Sequence, residues 1–219
     1  MNVFKTDHPN PQLVRKNWVS LNGEWDFGFE KAKSRFTFSD NESRVVDIYN
    51  KDCYGLKINV PFCIESVLSG IGYTDFVNLV WYRKSVVINK KDYRVFLHIG
   101  AADYLTTVLV NGRAAGRHKG GYTSFSFDIT DYVQDGENEI FILCEDNVKS
   151  PLVMRGKQSE RRESHNCDYT RTTGIWQTVW LEFVPDIYIK NFKIYPDFEN
   201  SSVTINTQLI GKADLYCGK

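Results

Sequence analysis

The sequence predicts an all-β fold, and a jelly-roll sandwich suits its length of 219 residues. Three observations support this prediction: apolar residues recur at every second position, turn signals follow at short intervals, and 14% of the residues are aromatic. Helical periodicity is nearly absent. One full domain fits the chain, with some residues left over after it.

Alternating apolar residues mark the strands. In residues 94–100, Val95, Leu97 and Ile99 share one face, whereas both faces of residues 105–110 are largely apolar or β-branched. Asn111-Gly112 follows directly and predicts a type I′ hairpin turn, because both positions of that turn need positive φ. Further strands are predicted at 124–129, 139–145 and 175–184.

Two segments break the strand pattern. A short helix is predicted at residues 131–134, with Thr130 as its cap and Asp135-Gly136 as its end. Residues 149–173 contain many charged and few apolar side chains, so they predict a long loop. A loop of this length in a compact domain is usually functional or disordered.

A second unit is predicted to begin near Pro185. Residues 187–195 and 202–209 form two further strands, and the chain stops at Lys219. A lone two-stranded hairpin is marginal in water, so we expect it to pack against the rest of the chain or to self-associate with a second copy. Its large apolar residues are Ile187, Ile189, Phe192, Ile194, Val203, Ile205 and Leu209.

Composition narrows the classes of partner. The 27 basic residues balance the 27 acidic ones, so the net charge predicts binding neither to nucleic acid nor to an anionic membrane. No signal peptide and no membrane-spanning stretch is recognisable, so a soluble chain is expected, and its compartment stays open. The five cysteines include no C-x-x-C pair and are interpreted as mostly buried thiols, with no cofactor or metal site expected.

No catalytic motif is present. Hydrolysis by paired carboxylates needs two acids roughly 5 to 9 Å apart, and spacing along a β chain cannot select one pair among so many acids. The sequence contains no G-x-S-x-G nucleophile motif, no H-E-x-x-H zinc motif and no phosphate-binding P-loop, and its four histidines are scattered. We interpret His98 as a hydrogen-bonded strand residue and His118 as a loop residue near Gly120-Gly121.

An ordered series of short motifs runs through residues 15–184. It includes Ser20-Leu21-Asn22-Gly23-Glu24-Trp25, Val60-Pro61-Phe62, Trp81-Tyr82-Arg83-Lys84, Gly100-Ala101-Ala102-Asp103-Tyr104, Gly120-Gly121-Tyr122, Arg155-Gly156-Lys157-Gln158 and Thr173-Gly174-Ile175-Trp176. In this order the motifs resemble the beginning of family 2 glycoside hydrolases, which include β-galactosidases, β-glucuronidases and β-mannosidases. Single motifs are weak, but the series is specific.

The resemblance implies a domain organisation. Residues 1–184 would form a jelly-roll sugar-binding domain of the galactose-binding type, and residues 185–219 the first strands of an incomplete immunoglobulin-like sandwich. The family's catalytic glutamates lie on a C-terminal barrel that is absent from this chain, so no residue here is expected to be catalytic. The implied partners are a β-glycoside and that barrel.

The resemblance also implies substrate-binding residues. Alignment through Gly174-Ile175 assigns Asp168 to a position that contacts sugar hydroxyls in the family, and Asp103 to a position that is Asn in some members. A carboxylate can accept two hydrogen bonds from adjacent hydroxyls. Arg171 is the third candidate, which either pairs with a carboxylate or faces solvent.

Alternatives stand beside these assignments. Asp168 could cap a turn in a solvated loop, and Asp103 could form an Asx turn at a strand end. Trp81, Trp176 and Trp180 could stack on sugars or belong to the core. The whole chain could be a free-standing carbohydrate-binding module or lectin, although the strands after Asp186 favour a glycosidase domain. The substrate could be a β-galactoside, a β-glucuronide or a β-mannoside.

Overall fold

The computed structural model describes residues 7–32, 42–51 and 53–211. Strands dominate this part of the chain. They are β1 (Trp18–Ser20), β2 (Gly23–Lys31), β3 (Leu56–Val60), β4 (Val77–Ile88), β5 (Arg94–Ile99), β6 (Ala102–Asp103), β7 (Leu105–Val110), β8 (Arg113–Lys119), β9 (Phe125–Asp128), β10 (Gly136–Glu145), β11 (Gly174–Ile175), β12 (Val179–Val184), β13 (Tyr188–Asp197) and β14 (Ser202–Ile210). One α-helix, α1 (Glu42–Asn50), and one 3₁₀ turn, Val67–Ser69, accompany them.

The strands form antiparallel sheets, as the all-β prediction requires. A six-stranded sheet has the order β3-β2-β4-β10-β7-β8, and a four-stranded sheet has the order β1-β12-β5-β9. The short strands β6 and β11 pair with each other, and β13 and β14 form a separate hairpin. The jelly-roll β-sandwich expected from the sequence is therefore the architecture of the chain.

The main core contains apolar side chains from both large sheets. The predicted alternation in β5 is confirmed, because Val95, Leu97 and Ile99 are completely buried. Trp25 of β2 and Tyr82 of β4 contribute the largest rings to the same core. Each such side chain contributes about 1.5 to 3 kcal/mol when it leaves water, so this core is the main source of stability.

A second, smaller apolar cluster lies on the six-stranded sheet beneath α1. It joins Val45 of the helix to sheet residues that include Trp81, Leu109 and Phe141. Helix α1 was not predicted from the sequence. None of the helices in the described ranges is long and apolar enough to cross a membrane.

The helix predicted at residues 131–134 is wrong. Those residues form a turn, in which the Asn138 side chain accepts from the Gln134 backbone N–H at 2.9 Å and donates to its carbonyl at 2.8 Å. Thr130 does not cap a helix, because its Oγ1 accepts a hydrogen bond from the Val95 backbone N–H. The backbone N–H groups of Tyr132 and Val133 donate to the Ile129 carbonyl and close a single turn, and the Asn138 side chain bonds Gln134 where a helix would continue.

Other strand predictions are confirmed with adjusted ends. Asn111 and Gly112 have φ values of 50° and 74°, as the predicted hairpin turn requires. The strand predicted at 175–184 is divided into β11 and β12. The Thr178 carbonyl between them accepts from the Gly100 backbone N–H at 2.8 Å, which turns the chain from one sheet to the other.

The hairpin β13–β14 forms as predicted and is largely exposed. Tyr188 contacts Phe96 of the sandwich at 5.8 Å between ring centroids, and Arg15 donates to the Ile189 carbonyl. Ile194, Val203 and most other apolar residues of the hairpin stay in contact with solvent.

The cysteine interpretation is only partly correct. Cys144 is buried and Cys63 half-buried, but Cys53 and Cys167 are exposed because they lie in loops rather than in sheets. These four thiols are free, and Cys217 lies outside the described residues.

Candidate functional site

The β6–β11 pair connects Asp103 with the end of the 149–173 loop. Asp103 lies opposite Gly174 and Ala102 opposite Ile175, so Asp103 meets the end of the loop that carries Asp168 and Arg171. The predicted loop is confirmed, since residues 149–173 contain turns and two isolated bridges but no strand. The candidate site is therefore built from the loop and from the strand beside it.

Asp103 is buried beneath this loop, with 1% of its surface exposed. Its Oδ2 accepts a hydrogen bond of 2.6 Å from Gln158 Nε2, whereas its Oδ1 has no hydrogen-bond partner among the described residues. The carboxylate lies against Gly121, where a side chain would collide with it. The carboxylate bonds Gln158 rather than its neighbouring backbone, which is not the Asx turn that the sequence left open.

Burial raises the pKa of Asp103 to about 6, and the hydrogen bond from Gln158 partly opposes this rise. Asp146, next to β10, is also buried, and its pKa is raised well above the usual value by burial and then by the charges of Asp103 and Glu65. Two neighbouring carboxylates in a dry environment disfavour simultaneous ionisation. The site thus contains an acidic interior that holds protons more tightly than water-exposed acids do.

Gln158 connects Asp103 to the backbone of the loop. Its Nε2 donates to Asp103, while its Oε1 accepts from the Thr172 backbone N–H at 2.7 Å. Glu65 holds the next residue, because its Oε2 accepts from the Thr173 backbone N–H at 3.1 Å. Gln158 lies in one of the family-like motifs, but nothing in the sequence identified Gln158, Glu65 or Asp146 as partners of the site residues.

Arg171 is buried, with 3% of its surface exposed. Its guanidinium donates to the carbonyls of Ser159, Arg161, Arg162 and Thr74. The carbon of the guanidinium lies 4.2 Å from the centre of the Phe76 ring. The prediction that Arg171 pairs with a carboxylate or faces solvent is therefore wrong, because its planar set of donors instead satisfies loop carbonyls.

Asp168 occupies a tight turn at the tip of the loop. His165 and Asp168 exchange two backbone hydrogen bonds of 3.1 and 2.9 Å, and Asn166 between them has a φ of 50°. The Asp168 side chain is 25% exposed and makes no hydrogen bond within the described part of the chain; His165 Nε2 lies 4.0 Å away. Its carboxylate does not cap the turn and is partly exposed beside His165.

Aromatic residues surround the site only in part. Trp176 is half-buried and donates from Nε1 to the Gly121 carbonyl at 2.8 Å, which fixes the glycine beside Asp103. Trp81 is buried beneath α1, so it belongs to the core, which is one of the two alternatives that the sequence left open.

The two histidines interpreted from the sequence both lie in strands. His98 is a hydrogen-bonded strand residue, as expected, and bonds Glu182 at 3.1 Å. The interpretation of His118 as a loop residue is wrong, because it lies in β8 opposite Thr106, and its ring stacks on Phe125 with 4.0 Å between ring centroids.

In the described ranges, no group of three or more histidine, cysteine, aspartate or glutamate side chains is arranged to hold a metal ion.

Comparison with known proteins defines the class. Residues 18–185 match the family model of the glycosyl hydrolases family 2 sugar binding domain. The chain belongs to this family. The match begins at β1 and ends just after β12, so it coincides with the sandwich and includes Asp103, Asp168 and Arg171.

Individual relatives agree with this assignment. The chain is 34% identical over 143 residues to a β-galactosidase of Thermoanaerobacter pseudethanolicus, which corresponds to 63% of this chain and 18% of that protein. It is 33% identical over 216 residues to the β-glucuronidase of Mus musculus, covering 90% of this chain and 32% of that one. The fold matches that of a β-glucuronidase from an uncultured Clostridium species, with a TM-score of 0.67, 20% identity, and coverage of 90% and 35%. The chain thus spans about a third or less of the length of these relatives.

Proposed function

We propose that this sugar-binding domain forms one wall of a β-glycoside site, in which the Asp168 carboxylate accepts hydrogen bonds from sugar hydroxyls. The observation that carries the proposal is the partly exposed carboxylate of Asp168, held at a fixed turn within a domain of this family. The hydrolytic carboxylates belong to a separate barrel. On this proposal residues 1–184 are the sugar-binding domain and 185–219 begin an immunoglobulin-like one.

The contacts around Asp168 support this role. Backbone hydrogen bonds of 2.7 Å join Ser159 and Lys157 to Tyr169, the residue after Asp168. Arg171 holds three further carbonyls of the same loop. These bonds fix the backbone that carries Asp168, so less conformational entropy is lost when a ligand arrives than for a residue in a free loop. Charge-assisted hydrogen bonds to hydroxyls then provide affinity and orientation.

Asp103 has a different part in the proposed site. Because its carboxylate is covered by Gly121 and Gln158, direct contact with a sugar would require one of these residues to move. Asp103 is therefore a positioning residue that acts through Gln158 on the loop. Arg171 is likewise a positioning residue.

The proposal is tested in a polypeptide that carries these residues together with a family 2 catalytic barrel. Asp168→Asn should lower kcat/KM for nitrophenyl β-glycosides more than tenfold, since a hydrogen bond that tightens in the transition state is worth at least about 1.4 kcal/mol. Glu163→Gln removes the same charge from an exposed residue of the same loop and serves as the matched control. Equal kcat/KM values for the two variants would return Asp168 to the role of a solvated loop residue.

A further inference from the structure

The outer face of the four-stranded sheet carries a cross-strand row of polar and aromatic side chains. Ser126 of β9 lies opposite His98 of β5, His98 lies opposite Trp180 of β12, and Trp180 lies opposite Ser20 of β1. Residues directly opposite in antiparallel strands place their side chains on the same face. The core residues of β5 alternate with this row, so the row faces away from the core.

A groove of about 710 Å³ lies over this face. The N-terminal segment, with Pro9 and Arg15, forms one part of its wall, and Tyr188 and Lys190 of the hairpin form another. Small-molecule sites typically measure roughly 300 to 1,000 Å³. None of the residues that line this groove belongs to the 149–173 loop, so the groove is independent of the role proposed for Asp168.

The groove contains fixed polar groups. Glu182 is 8% exposed, and its two oxygens lie 2.8 Å from Arg15 Nε and 3.1 Å from His98 Nε2. The His98 ring stacks on Trp180, with centroids 4.7 Å apart and planes 8° from parallel. Gln177 at the same groove is exposed and makes no side-chain hydrogen bond to the described residues. Aromatic surface and hydrogen-bonding groups thus lie side by side.

One donor in this groove lacks an acceptor. Trp180 is 7% exposed, and its Nε1 is buried without a hydrogen-bond partner among the residues that the structure describes. A buried N–H without an acceptor is unfavourable, and native structures pair more than nine in ten of such groups. An oxygen atom of a ligand in the groove would satisfy it.

We propose that this groove binds an oligosaccharide of two or more sugar units. Sugars combine hydroxyl oxygens, which can accept from Trp180 Nε1, with apolar C–H faces, which pack on the ring of Trp176 along the groove. Hydroxyl protons can be donated to Glu182 and to the Gln177 amide oxygen. A purely apolar ligand would leave these polar groups unpaired.

The test follows the indole N–H signals of the complete 219-residue chain by ¹H–¹⁵N NMR during titration with cellotetraose and, separately, β-1,4-galactotetraose. Trp180→Phe identifies the Trp180 signal and keeps a ring against His98. We expect this signal to move with one of the two sugars at a Kd in the millimolar range, and Gln177→Ala to weaken binding about fivefold. Gln134→Ala shortens an exposed glutamine that does not line the groove, so it is the matched control and should leave this titration unchanged.

Three results would overturn the proposal: an unmoved Trp180 signal with both sugars at about 20 mM, an affinity that Gln177→Ala does not change, or an equal shift with glycerol. Gln177 is exposed, so its variant remains informative if Trp180→Phe fails to fold. Failure of the groove proposal would not contradict the role proposed for Asp168, because that role is tested by turnover and not by this titration.

Discussion

At the scale of single residues, Arg171 determines the shape of the candidate site. It replaces water as the donor for four backbone carbonyls, three of them in the 149–173 loop. Burial lowers the pKa of Arg171, and the nearby charges of Glu65 and Asp75 oppose this change. A buried cation is tolerated here because carbonyl oxygens and the Phe76 ring surround it.

We therefore expect Arg171→Met to lower the free energy of unfolding by about 2 to 3 kcal/mol, since it leaves several carbonyls without a donor. Urea denaturation measures this change. Arg162→Met removes an exposed arginine from the same loop and should change the free energy by less than about 0.5 kcal/mol. Equal effects of both variants would mean that Arg171 does not hold the loop.

Asp103 gives the domain a pH dependence. Its pKa is about 6 in the folded chain, against a reference value of 3.8. The folded state therefore binds more protons between these two values, so this group makes the domain less stable as the pH rises from about 4 to 6. Asp146, whose pKa is also raised, contributes a slope of the same sign.

Asp103→Asn removes the Asp103 contribution and keeps an acceptor for Gln158. Relative to this variant, the wild-type chain should lose about 2 kcal/mol of stability between pH 4 and pH 7. Denaturant unfolding of both proteins across this range provides the two curves, and their difference gives the effect of Asp103 together with its repulsion of Asp146. Asp131→Asn, at an exposed position, controls for the loss of a negative charge. Parallel curves for wild type and Asp103→Asn would contradict the raised pKa.

At the scale of elements, local periodicity predicted the strands because apolar alternation is a short-range signal. The alternation in β5 and the Asn111-Gly112 turn could be recognised without any knowledge of the fold. Helix α1 could not, because it offers only about two turns of apolar pattern and is stabilised by contact with Trp81 and Phe141. The segment 131–134 was mistaken for a helix because it stops after a single turn, where the Asn138 side chain bonds Gln134.

The reach of short-range sequence signals also explains why the contacts of the candidate site were not predicted. Family motifs predicted that Asp168 and Asp103 belong together, but the partner of Asp103 is Gln158, 55 residues away. No periodicity encodes such a pair. The role of Arg171 also depends on a carbonyl 97 residues distant, that of Thr74. These contacts arise from the packing of a loop on a completed sandwich.

The hairpin β13–β14 carries a prediction of its own. Its apolar side chains, such as Ile194, Val203 and Ile205, are 56 to 60% exposed. Removing their apolar surface from water would lower the free energy. We expect residues 1–219 to self-associate in sedimentation velocity at micromolar concentration, whereas residues 1–185 stay monomeric. Val203→Lys with Ile205→Lys should abolish association without touching the sandwich. Monomeric behaviour of the unmodified chain would mean that the hairpin remains without a partner.

At the scale of the whole molecule, the chain is a sugar-binding domain of family 2 that spans about a third or less of its relatives. The proposed function assigns hydrolysis to a barrel outside this chain. We expect the purified chain to hydrolyse nitrophenyl β-galactoside and β-glucuronide no faster than buffer. Turnover that survives repurification and disappears on mutation of a residue in this chain would contradict that assignment.

The central claim is that Asp168 touches the sugar, and a crystal structure of the barrel-containing polypeptide with a bound, non-hydrolysable β-glycoside tests it most directly. The decisive quantity is the distance from the Asp168 carboxylate oxygens to the nearest hydroxyl oxygens of the sugar. We expect at least one distance below about 3.2 Å, within hydrogen-bond range. A sugar that is fully ordered in the site and lies beyond about 6 Å from both oxygens, too far even for a bridging water, would contradict the account.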